Sequence, residues 1–214
     1  MTTPGKTEAL LLITPGCAHC PTVIAHLSTL VKENYIAKLE IINIQQYPDI
    51  ATTYSVRSVP WLKLDDYILT GSYSLDELRH WAQLTHSEEG LQQYIELQLA
   101  DGELDKIVSE VKQYPQWLKT IINLLKNDDT AMQVRLGIDT IMENMAGTEI
   151  LQSQVEELGQ LAQTVHPSRL ADIIYYLGLS KSPKAISYIE NFLQHDNPDI
   201  VEISKDALEK IQAI

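Results

Sequence analysis

Thr14-Pro15-Gly16-Cys17-Ala18-His19-Cys20-Pro21 lies between the apolar run Ala9-Leu10-Leu11-Leu12-Ile13 and a helical pattern that begins near Thr22. These two cysteines are the only ones in the sequence, so any sulfur chemistry is confined to this stretch. A short apolar run ended by Pro-Gly reads as a strand buried on both faces, the kind found in the middle of a sheet. Val23, Ile24, Leu27, Leu30 and Val31 then recur at helical spacing, which places the cysteines at a strand-to-helix junction. Cys17 is therefore expected at or just before a helix N-terminus, where unpaired N–H groups and the positive dipole end favour an anion. A thiol there gives up its proton more readily than a free one, and the thiolate is the nucleophile. Cys20 lies one helical turn further on and can reach back to close a disulfide.

Other uses of the pair stay open on these residues alone. Tetrahedral zinc takes four ligands, and the chain has no second cysteine pair or H-x-x-x-H cluster, so a zinc site would have to be shared between subunits. The cysteines could also serve as small buried hydrophobes or as a structural disulfide. C-x-x-C beside a strand–helix pattern favours redox chemistry, with Cys17 and Cys20 as the catalytic residues and with no metal and no cofactor implied.

The 214 residues suffice for one large or two small domains. A hydrophobic fraction of 44% describes an ordinary soluble protein. No apolar segment approaches the ~18 residues that suggest a membrane span. The opening Met-Thr-Thr-Pro-Gly-Lys-Thr-Glu lacks a secretory apolar region, which makes the cytoplasm the expected location, with the cysteines reduced at rest. The net charge of -13 is unevenly spread. Residues 1–87 carry 6 Lys+Arg against 8 Asp+Glu, while residues 88–214 carry 10 against 21. That asymmetry predicts two domains, 1–87 and 88–214, and argues against nucleic-acid or anionic-membrane partners, which need a basic patch. The acidic part is either a solvated face or a surface for basic partners.

In the first domain, Lys38-Leu39-Glu40-Ile41-Ile42-Asn43-Ile44 reads as a second strand, so the chain opens with a right-handed βαβ unit. A short helix follows from Pro48-Asp49. Trp61–Leu64 and Tyr67–Leu69 form a hairpin about Asp65-Asp66, and Ser74 with Glu77 is a capping box opening a helix whose apolar face carries Leu75, Leu78, Trp81, Ala82 and Leu84. The predicted order is βαβαββα.

Before the hairpin stands Ser58-Val59-Pro60, in the run Tyr54-Ser55-Val56-Arg57-Ser58-Val59-Pro60-Trp61. With the C-A-H-C pair, this segment makes residues 8–86 resemble the thioredoxin and glutaredoxin superfamily. The resemblance implies an α/β thioredoxin-like fold, a cis Val59–Pro60 bond beside the cysteine pair, a substrate groove shaped by Val59 and Pro60, and thiol–disulfide exchange with protein disulfide or thiol substrates. The chain also departs from the family pattern. Leu11 stands where thioredoxins proper have a buried aspartate, Ile41 where they have a lysine, and Gly16 where a tryptophan precedes the motif. Gly71-Ser72-Tyr73-Ser74 does not match the glutathione-binding pattern of glutaredoxins. His19, between the cysteines, is the expected pKa-tuning residue, because a protonated imidazole stabilises a Cys17 thiolate and makes the disulfide more oxidising. The alternative for His19 is an exposed residue without redox effect.

From Ser87 onward helical periodicity replaces strand patterns. Glu88–Leu99 and Leu104–Val111 flank an Asp101-Gly102 turn, and Tyr114-Pro115 breaks the chain. Three helix–turn–helix units follow: Trp117–Leu125 with Met132–Met145, Ile150–Val165 with Arg169–Leu179, and Ala185–Leu193 with Ile200–Ile211. Their second helices align at Val134-Arg135, Ser168-Arg169 and Val201-Glu202, and they resemble HEAT-type repeats, an all-α HEAT-like helical repeat domain that binds protein partners. An irregular helical bundle is the alternative. His166, Tyr175, Tyr176 and His195 read as packing or turn residues. The expectation for the whole chain is a thiol–disulfide oxidoreductase with an acidic helical interaction domain; the rival is a non-catalytic interaction scaffold with a thioredoxin-like fold.

Overall fold

The computed structural model describes residues 6–127 and 129–212. Residues 1–5, Asp128 in the connection between the first predicted pair of repeat helices, and residues 213–214 lie outside the described residues. The chain divides into two compact units, Met1–Leu91 and Gln92–Ile214.

The first unit runs β1 (Glu8–Ile13), α1 (Cys20–Lys32), β2 (Lys38–Asn43), α2 (Pro48–Thr53), β3 (Trp61–Leu64), β4 (Tyr67–Thr70) and α3 (Leu75–Leu84). This is the predicted βαβαββα order. The strands form one mixed sheet in the order β2-β1-β3-β4, with β1 parallel to β2 and antiparallel to β3. Leu11 and Leu12 point to opposite faces of β1, and both are 0% exposed, so the central strand is covered on both sides. α1 packs against β2 and α3, and buries Cys20, Val23, Leu27 and Leu30. Tyr54, just past α2, lies against the Trp61 ring at 5.1 Å between centroids.

Local chemistry fixes several junctions. Asp65 takes a positive φ of 48° in the β3–β4 turn. Ser74 caps α3 through a complete capping box: its hydroxyl accepts from the Glu77 N–H, and its own N–H donates to the Glu77 carboxylate at 2.7 Å. Arg79 of α3 donates to Glu33 at the end of α1 and to Asp76, and its guanidinium stands 5.6 Å from the Tyr35 ring. β2 is an edge strand, with Lys38 between Glu8 and Glu40 at 3.6 Å from each.

The second unit is all helical. α4 (Glu88–Ala100), which spans the division, is followed by α5 (Leu104–Gln113), α6 (Trp117–Leu124), α7 (Met132–Asn144), α8 (Glu149–Gln152), α9 (Val155–Ala162), α10 (Pro167–Leu179), a 3-10 turn at Pro183–Ala185, α11 (Ile186–Glu190) and α12 (Pro198–Gln212). The single helix expected over Ile150–Val165 is two. The Ser153 hydroxyl donates to the Ile150 carbonyl at 2.7 Å, a local bond that competes with helix continuation, and a new helix starts at Val155. The helix expected over Ala185–Leu193 is shorter, because Pro183 opens a 3-10 turn and α11 ends at Glu190. α10 lies against α7, α9 and α12, and α9 against α11. The α10–α12 approach depends on Gly178, where a Cβ would stand 2.8 Å from the Ala207 side chain.

Candidate active site

The cysteine pair sits where β1 hands over to α1. The Cys17 N–H donates to the Thr14 carbonyl at 3.2 Å, closing a turn, and His19 precedes the first residue of α1. α1 thus begins at Cys20 rather than near Thr22, so Cys17 lies just ahead of the helix. The Cys17 and Cys20 sulfurs are bonded, with Cα atoms 5.5 Å apart. The two are not equivalent. Cys20 is 2% exposed and belongs to the buried stripe of α1, whereas Cys17 is half-buried and reaches solvent. The Cys20 N–H, at the start of the helix, points at the Cys17 sulfur at 3.1 Å. Next to Cys17, a Cβ at Gly16 would meet nothing within 4 Å, so approach from that side is open.

The sheet register brings the other motif to the same end. Leu12 pairs with Trp61, which sets Pro60 level with Ile13, the residue that leads into the cysteine turn. The Val59–Pro60 peptide is cis, as the family resemblance implies. The Pro60 ring is buried, and its carbonyl accepts from the Gly71 N–H at 3.0 Å. His19 is exposed and makes no side-chain capping bond to α1. Leu11 and Ile41 are partners in the β1–β2 register, so two of the three positions that differ from thioredoxins proper are cross-strand neighbours. Leu11 is fully buried and Ile41 is 41% exposed.

A cavity of about 330 Å³ lies elsewhere, lined by Glu8, Leu10, Lys38, Glu40, Tyr54 and Lys63 among others. It gathers residues from the start of β1 and the far end of β3, away from the cysteines. Among the described residues no group of three or more His, Cys, Asp and Glu side chains is placed to hold a metal.

One tie escaped sequence reading. The His26 ring nitrogen Nδ1, on α1, lies 3.1 Å from the Tyr73 carbonyl, linking two segments 47 residues apart. Gly71, which opens this segment, takes a positive φ of 105°.

In the helical unit the polar contacts hold helices together. Arg135 pairs with Asp172 at 3.5 Å, Tyr176 donates to Asp139, Tyr175 donates to Glu143 at 3.1 Å, and the Lys210 ammonium stands 4.3 Å from the Tyr175 ring. Burial, reinforced by the neighbouring Asp139 carboxylate, pushes the Asp172 carboxyl up. Burial and the hydrogen bond to Asp139 raise the Tyr176 hydroxyl, which stays a donor. His166 accepts from the Ser168 N–H at the start of α10, and His195 accepts from the Asn197 N–H at 3.1 Å. No helix among the described residues is long and apolar enough to cross a membrane.

This sheet, with a bonded C-x-x-C pair ahead of its first helix and a cis proline level with it, defines a thioredoxin-like class of domain. Residues 9–83 match the family described as a thioredoxin domain, and the rest of the chain is an all-α region consistent with helical repeats. No curated protein matches the chain. The domain and its cysteine pair support a redox-type function.

Proposed function

We propose that this protein is a thiol–disulfide oxidoreductase of the cytoplasm that acts through Cys17 and Cys20 on protein disulfides or thiols. The observation that carries the reading is the asymmetry of the bonded pair: Cys17 reaches solvent and Cys20 is 2% exposed. In the reducing direction the Cys17 thiolate attacks one sulfur of a substrate disulfide, that S–S bond breaks, and the other substrate sulfur leaves as a thiolate. The Cys20 sulfur, as thiolate, then attacks the Cys17 sulfur and expels the second substrate thiolate. The protein loses two electrons to the substrate and ends with the Cys17–Cys20 bond; oxidation of a substrate dithiol is the reverse. The Cys20 amide and the N-terminus of α1 stabilise the Cys17 thiolate. Val59 and Pro60 form the groove wall that the substrate chain meets, and His19 adds positive charge beside the thiolate when protonated.

Turnover of a small aromatic disulfide, lost in Cys17→Ser and trapped as a mixed disulfide in Cys20→Ser, tests the reading; wild-type protein that reduces and oxidises nothing refutes it. Replacing His19 by Gln moves the reduction potential to more negative values, from a starting point between about -270 and about -120 mV.

We further propose that residues 88–214 act as HEAT-like repeats that bind protein partners. Supporting this, α9 pairs with α10, α11 pairs with α12, and α7, α10 and α12 lie in succession. A non-catalytic scaffold draws support from one observation, the Leu11–Ile41 pair, which leaves the sheet without the buried acid of thioredoxins proper. The turnover assay separates the two readings.

A further inference from the structure

We infer that His26 is a positioning residue: it holds the Gly71–Tyr73 segment in place, and through Gly71 it holds the Pro60 loop against the cysteine end of the sheet. Contacts at both ends of the segment hold it. Its Gly71 N–H donates to the Pro60 carbonyl at 3.0 Å, the Tyr73 carbonyl faces His26 Nδ1 at 3.1 Å, and Ser74 is locked by the α3 capping box. A carbonyl can only accept, so Nδ1 carries the hydrogen and donates. His26 stands on α1, the helix that begins with Cys20. One path of two hydrogen bonds joined by the backbone of residues 71–73 therefore runs from the helix of the buried cysteine, through His26, Tyr73 and Gly71, to the proline that the proposed function assigns to the groove. A side chain that fixes the place of that groove wall acts on how a chain-like substrate is held, and leaves the sulfur chemistry alone.

The consequence for substrate rests on the thiol–disulfide reading above; the tie itself does not. In His26→Asn the side-chain amide nitrogen takes the place of Nδ1 and donates, whereas His26→Leu and His26→Ala cannot. The full-length variants are compared by hydrogen exchange at the Gly71 amide, by turnover of a disulfide-bonded peptide and of a small aromatic disulfide, and by alkylation rate at Cys17. In His26→Leu and His26→Ala the Gly71 amide exchanges about fivefold faster, as loss of one neutral hydrogen bond predicts. KM for the peptide rises by about the same factor. Small-disulfide turnover and Cys17 alkylation keep their wild-type values, and His26→Asn restores Gly71 exchange and peptide KM together. Unchanged Gly71 exchange in both apolar variants overturns the inference, as does a fall in kcat for both substrates that His26→Asn does not rescue. Wild-type protein inactive on both disulfides refutes the oxidoreductase reading, while Gly71 exchange still decides the tie.

Discussion

Leu11→Asp places a carboxyl where thioredoxins proper carry one, and the structure sets the cost. Leu11 is 0% exposed, on the central strand, between Ile41 of β2 and Leu62 of β3. Removing the leucine side chain from such a site costs about 2–5 kcal/mol, the range for a buried Leu→Ala change. An uncharged carboxyl without a partner there adds about 1–3 kcal/mol. The total, about 3–8 kcal/mol, is a large part of the 5–15 kcal/mol that holds a domain together. Burial disfavours the ionised form, so the introduced group's folded-state pKa rises above its unfolded value near 3.9. The folded protein then binds this proton more tightly than the unfolded chain. The variant is least destabilised below about pH 4, and it loses further stability as pH rises towards the raised folded-state pKa. Urea unfolding of wild type, Leu11→Ala and Leu11→Asp between pH 4 and 8 measures this. A Leu11→Asp loss below about 1 kcal/mol, or a loss that does not grow with pH, would refute the claim that this position is dry and apolar.

In reduced protein carrying one cysteine at a time, alkylation of Cys17 accelerates at lower pH than alkylation of Cys20, since Cys17 is half-buried ahead of the α1 N-terminus and Cys20 is enclosed; coincident pH profiles would remove the nucleophile assignment. Gly159→Ala loses about 1–3 kcal/mol by urea unfolding, because the new Cβ would stand 2.3 Å from the Tyr188 ring and the ring must move. The Lys126 hydrogen bond at 3.0 Å, with Lys119 nearby, holds the Glu157 carboxyl below the usual carboxylate range. That contribution is present above the ordinary carboxylate value and is lost as pH falls through the lowered one, so Glu157→Gln costs well under about 1 kcal/mol at neutral pH and nothing in strong acid, as paired thermal melts will show.

The thioredoxin-like domain was legible because its signals are local and agree with one another. Alternation and apolar runs mark the strands, the Ser74–Glu77 box marks α3, and the C-x-x-C and Ser-Val-Pro segments mark the site. The start of α1 was read late because Pro21 resembles a helix breaker, although proline is tolerated in a first turn. The α8–α9 break was invisible to periodicity, since a serine bonding back to its own turn leaves the apolar pattern intact. His26 was unreadable for another reason. It sits on an otherwise ordinary amphipathic helix, and its partner is a backbone carbonyl 47 residues away that no side-chain pattern announces.

The edge position of β2 has a consequence for handling the protein. A strand with no partner on one side among the described residues offers its backbone to any extended chain, and Ile41, 41% exposed, adds an apolar foothold. What guards that border is the alternation of Lys38 and Glu40, charges that a strand laid alongside must strip of water or oppose. Neutralising both, as in a Lys38→Thr, Glu40→Thr double variant, leaves the fold's interior untouched and turns the rim of the sheet into a template for self-association.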